Sequence, residues 1–132
     1  MMRIFLLAAI LLPLGLSLAL PAQAQRTSAH DGLYDGTRAQ ECQTTGRSGQ
    51  TRVTAQLRGS SFEIAGLPGD PPLQATVGAN GAVTLPSFGL FGAGTGQIFE
   101  GPNNARRFTG SHPGRRCQIV YDLRRVSTRV RN

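Results

Sequence analysis

Glycine and proline punctuate this chain so often that few segments are left long enough for a helix of ordinary length. After residue 24 there are 16 glycines and 6 prolines in 108 residues. That is about a fifth of the segment, above the average of roughly 12% and below the 25–30% associated with disorder. The breaks recur every 8 to 12 residues or so, and the stretches between them are rich in Val, Ile, Thr, Phe and Tyr, residues that suit a pleated, half-buried surface. A chain punctuated in this way reads as all-β.

Alternation places strands near Gly32 to Cys42, Thr51 to Leu57, Phe62 to Ala65, Leu73 to Val77, Ala82 to Leu85, Gly96 to Phe99, Ala105 to Thr109 and Cys117 to Leu123. The second is the clearest, with Val53, Ala55 and Leu57 on one face and Arg52, Thr54, Gln56 and Arg58 on the other. The last segment also fits helical spacing through Ile119, Val120, Leu123, Val126 and Val130. Its β-branched and aromatic residues, and the alternation of Cys117, Ile119, Tyr121 and Leu123, favour a strand. Gly59-Ser60, Gly78-Ala79-Asn80-Gly81 and Gly110-Ser111-His112-Pro113-Gly114 supply turns. The run Gly66 to Pro72 holds three prolines and is a loop, because proline lacks the donor a central strand needs.

About eight short sequential strands predict a small antiparallel meander closed as a barrel, with a β-sandwich as the alternative. The only two cysteines bear on the choice. Cys42 ends the first strand and Cys117 begins the last. A disulfide spans about 5.5 Å between α-carbons, and an open sheet would hold those strands at opposite edges. A bond between Cys42 and Cys117 therefore favours closure. The chain-entropy model assigns so long a loop at most about 4–5 kcal/mol.

The first residues give the compartment. Arg3 precedes an apolar run from Ile4 to Leu20, and Pro21-Ala22-Gln23-Ala24 offers small residues at a cut site. These are the parts of a secretory signal peptide over 1–24, cleaved after Ala24, which leaves a single exported β-domain over 25–132 that is periplasmic or secreted. No later apolar stretch reaches membrane-spanning length, and an oxidising compartment suits the disulfide.

Asp31-Gly32-Leu33-Tyr34-Asp35-Gly36-Thr37 leading to Cys42, with Phe108-Thr109-Gly110 and then Cys117 through Leu123-Arg124, resembles a family of small exported, disulfide-containing β proteins of Gram-negative bacteria with uncharacterised function. The likeness covers most of the exported part and brings no catalytic residue with it. In architecture alone, a cysteine bridge on a small periplasmic β-barrel is similar to the secreted inhibitors of lysozymes and metalloproteases.

The chain carries +7 and contains no lysine. Residues 25–100 hold five arginines and six acids, whereas 101–132 hold eight arginines and one acid, Asp122, so the C-terminal tail is the basic part. Arg107, Arg116, Arg124, Arg129 and Arg131 form an outward set able to grip phosphate or carboxylate groups, while strand phase turns Arg106 inward at a mouth or onto a bulge. Export and the scarcity of interleaved aromatics argue against nucleic acid. An anionic envelope component or a periplasmic protein fits the compartment better.

Acid–base, metal and nucleophilic chemistry find little support. His30, near the N-terminus, and His112, at a hairpin tip, read as solvated loop residues without ligand spacing. Asp31 and Asp35 lie about 13 Å apart along a strand, and Glu63 with Glu100 is the remaining carboxylate pair; surface solvation accounts for both pairs. Ser48 in Gly46-Arg47-Ser48-Gly49 reads as a loop serine lacking the nucleophile-elbow frame. Gly89 to Gly96 has the glycines of a phosphate loop but no lysine and no following helix. Its Phe88, Leu90 and Phe91 either fold over one barrel end as core or are offered to a partner. The reading is thus a non-enzymatic binding module without metal or cofactor, protein-binding or inhibitor-like, with polyanion binding through the C-terminal arginines as the alternative.

Overall fold

The computed structural model describes residues 28–130 together with Gly15. The expected signal peptide, its cleavage site and Arg131 lie outside the described residues. Eight strands run in chain order: β1 Gly32–Cys42, β2 Gly46–Arg58, β3 Ser61–Ile64, β4 Leu73–Val77, β5 Ala82–Leu85, β6 Gly94–Glu100, β7 Arg106–His112 and β8 Cys117–Ser127. Each pairs antiparallel with its sequence neighbour, and β1 pairs with β8, so the sheet closes as a barrel. A short 3-10 turn, Pro102–Asn104, joins β6 to β7. Among the described residues no helix is long and apolar enough to cross a membrane.

Closure has a covalent marker. Cys42 and Cys117 are direct partners in the β1–β8 ladder, 4.0 Å apart at their α-carbons, and are joined by a disulfide. An antiparallel pair that is not hydrogen-bonded to itself brings α-carbons to about 4.5 Å, so the bond links residues that the ladder already holds together. The end of the barrel carrying it is called here the clasp end. The opposite end, where residues 28–31 cross the opening ahead of β1, is the strap end.

Alternation along the strands fills the barrel. Leu57, Phe62, Leu85, Phe108 and Leu123 are wholly buried, and rings meet edge to face along the interior, Tyr34 with Phe62 at 5.4 Å and Phe62 with Phe108 at 5.0 Å between centroids. Phe108 then lies 6.1 Å from Tyr121. An eight-stranded barrel has room for side chains or one small ligand; here the aromatic column takes the middle. Two inward glycines make that possible. Gly96 and Gly110 are cross-strand partners, and a Cβ on either would sit 2.5 Å and 2.7 Å respectively from the Phe108 ring.

The turn over Gly78–Gly81 forms as the Asn-Gly pair requires, with Gly81 at φ +82 and the Asn80 side chain accepting from the Ala82 N–H. Several expected boundaries move, β8 running on from Leu123 to Ser127, and two of the shifts overturn expected turns or loops. Gly110, Ser111 and His112 extend β7 instead of forming the hairpin tip, which shifts to residues 113–116. Gly46 to Gly49 belong to β2 and not to a loop. In both places ladder pairing with the neighbouring strand, β8 or β1, extends the strand past its turn-forming residues.

Candidate functional site

The longer β7 reverses the expectation for His112. It stays in phase with Phe108 and Gly110, points inward and is fully buried. Its Nδ1 lies 3.1 Å from the Gly92 carbonyl, which can only accept, so Nδ1 carries the proton and Nε2 is left to accept from the Tyr121 hydroxyl at 3.1 Å. Burial pushes the His112 pKa down, with nearby Arg38 adding to the effect, and burial pushes Tyr121 up. Both are held neutral.

Arg38 completes the group. It pairs with Tyr121 across the β1–β8 ladder and therefore shares its inward face. Half-buried, it lays its guanidinium 5.1 Å above the Phe88 ring, and Phe88 in turn stands edge-on to His112 at 4.8 Å. Among the described residues Arg38 makes no hydrogen bond or ion pair. Together with the 65–72 and 86–91 loops it lines a cleft of about 690 Å³ at the clasp end, within the range of small-molecule sites.

The loop offered as a partner site divides. Phe88 and Phe91 pack against the core, 5.5 Å apart, and exchange two backbone hydrogen bonds of 3.1 and 2.9 Å. Leu90, between them, is 96% exposed. The two readings of this loop thus each hold for part of it, because a closed two-residue bridge turns its tip away from the barrel.

The strap end is assembled from similar side chains. His30 is buried, against the expectation of a solvated terminus. Arg106, inward as its strand phase required, donates from Nε to His30 Nδ1 at 3.0 Å and from a terminal nitrogen to the Ala105 carbonyl at 2.9 Å. Tyr34 donates its hydroxyl to the His30 carbonyl at 2.6 Å. Arg125 donates to the carbonyls of Ala29, Asp31 and Asn104. Asp31 is likewise held and not simply solvated, accepting from the Gly59 N–H and the Ser28 hydroxyl, each at 2.8 Å. Burial, then the Arg106 charge, lowers the His30 pKa, and burial raises Tyr34 to about 12.

Of the outward arginines, Arg107, Arg116, Arg124 and Arg129 are spread along β7, β8 and the segments flanking β8. Arg107 and Arg124 are cross-strand neighbours, but Arg107 is held bidentate by Asp122 at 2.8 and 2.7 Å. Arg52 is similarly paired with Asp35, whose carboxyl the contact holds below its usual range. Arg116 lies in the clasp-end turn, eight residues or about 26 Å of strand from Arg124, while Arg129 follows β8 at the strap end. Glu63 and Glu100 sit on the non-adjacent strands β3 and β6. Among the described residues no group of three or more His, Cys, Asp or Glu gathers as a metal would need.

No protein-family model, no curated protein and no solved structure matches the chain. Function is therefore argued from these residues alone. Arg38 was not singled out in the sequence and His112 was read as solvated, although the signal was present: Arg38 is in phase with inward Tyr34 and Gly36, and His112 with Phe108.

Proposed function

We propose that this protein is an exported, non-catalytic binding module whose working surface is the clasp end, where the 86–91 loop docks into a partner protein. The observation that carries this reading is the geometry of Leu90. An almost fully exposed leucine stands at the tip of a loop whose flanking phenylalanines are pinned to the core. A preorganised apolar tip loses little conformational freedom on association and can act as an anchor for a partner's pocket. The disulfide fits export to an oxidising compartment, and the buried histidines already spend their ring nitrogens on internal partners, His112 on both sides.

A photo-crosslinking residue placed at Leu90 tests the reading against the same residue at Val126, an exposed apolar position of 66% exposure on β8. In an envelope extract of the source organism, position 90 should capture one discrete protein that position 126 does not. Equal capture at both positions, or none at 90, would remove the clasp end as the working surface.

A further inference from the structure

Arg38 is an inward arginine whose guanidinium finds no hydrogen-bond acceptor among the described residues. A guanidinium has five N–H donors and cannot shed its charge, and leaving such a group partly desolvated and unpaired is unfavourable. The strap end shows how this fold treats an arginine that serves structure: Arg106 and Arg125 are each bonded to backbone carbonyls or to an imidazole. At the clasp end the Phe88 ring supports the cation from one side, and the remaining donors are left to a cleft whose apolar wall includes Ile64, Leu73, Phe88, Leu90 and Phe91.

We propose that this cleft is a binding site for an organic monocarboxylate with an apolar tail, its carboxylate held by Arg38 and its tail lying between the 65–72 and 86–91 loops. The chemistry follows from what lines the space. A planar guanidinium matches a carboxylate through two parallel hydrogen bonds. Among the described residues Arg38 is the one cation lining the cleft and the acid Asp70 also lines it, so a single negative charge is matched and a polyphosphate is disfavoured. Below the mouth the column of Tyr121 and Phe108 fills the barrel, which keeps the tail near the loops and limits it to a chain of moderate length. The site goes beyond protein docking at Leu90 and is measured without any partner protein, so its failure leaves the crosslinking result untouched, and the reverse holds as well.

Titration calorimetry of the disulfide-bonded protein with decanoate tests it, with decanol as the uncharged chain, acetate as the head group alone and inorganic phosphate as competitor. Decanoate should bind one to one, at least ten-fold more tightly than decanol or acetate, and phosphate should not displace it. Arg38→Gln should weaken decanoate at least ten-fold and leave decanol unchanged, and Arg38→Lys should recover part of the loss. Phe88→Ala should weaken both decanoate and decanol. The melting temperature of each variant is measured alongside, and a titration of the wild type with decanoate against decanol decides the point even if a variant unfolds. Decanoate binding that is absent, that equals decanol binding, or that survives Arg38→Gln intact would overturn the proposal.

Discussion

The two ends of this barrel are built from the same side-chain types and put them to different ends. Each has an inward arginine, a buried neutral histidine and a buried tyrosine: Arg106, His30 and Tyr34 at the strap end, Arg38, His112 and Tyr121 at the clasp end. At the strap end the N-terminal segment lies across the opening and brings the His30 imidazole to Arg106 and the carbonyls of Ala29 and Asp31 to Arg125, so the charge is absorbed into structure. At the clasp end the loops stand apart, His112 and Tyr121 satisfy each other, and Arg38 is left facing a cleft. What separates a structural arginine from a binding one here is the supply of hydrogen-bond acceptors, and residue type does not reveal it.

The largest test of this contrast is the clasp itself. Replacing both cysteines by serine releases a cross-link between residues 75 apart in sequence, and stability should fall by up to about 4 kcal/mol on the chain-entropy scale, read as the shift in urea midpoint at unchanged slope. A loss below about 1 kcal/mol would mean that the β1–β8 ladder closes the barrel without it. Next comes Arg106→Gln, which removes the imidazole bond inside the strap end and should cost about 2–3 kcal/mol. Arg38→Gln should change the same midpoint by less than about 0.5 kcal/mol. Equal losses at the two arginines would erase the distinction between the ends.

Filling the middle should be felt as well. Gly96→Ala drives a methyl towards the Phe108 ring and should destabilise by about 1–3 kcal/mol; a neutral result would show that the aromatic column is loose. The histidines give a smaller, pH-dependent effect. Burial lowers both imidazole pKa values from 6.5, so the unfolded chain binds protons that the folded chain refuses. Their contribution is whole above pH 6.5 and is lost as pH falls below it towards the folded values. Denaturation midpoints measured between pH 7.5 and 5 should therefore decline with acid, and His30→Gln should flatten part of the slope. Smallest of all, Leu90→Ser should leave stability within about 0.5 kcal/mol of wild type while abolishing capture at the loop tip.

Much of the fold was legible because period-two alternation and turn residues are local signals. Each of the eight strands forms about the segment that alternation marked, with β2, β7 and β8 running three to five residues longer at one end, and the placement of Cys42 and Cys117 implied the closing pair. Errors arose where distant pairing overrode local punctuation. Gly110 and Gly114 look like a turn in isolation, yet pairing with β8 carries β7 on to His112, and that extension turns a solvated histidine into a buried one. His30 escaped for a related reason: nothing near it in sequence shows that Arg106, 76 residues away, will meet its ring.

By itself, then, the sequence determined the strands, their order and the covalent closure, since these depend on residue periodicity and on two cysteines with no other partner. Strand phase also turned Arg106 inward, and alternation from Tyr34 carries Arg38 inward as well. Only the tertiary structure decided which of those inward groups would be satisfied and which left open. That outcome depends on whether chain segments far away in sequence bring an acceptor within about 3 Å, as residues 28–31 do for Arg106 through His30 and the loops 65–72 and 86–91 do not for Arg38.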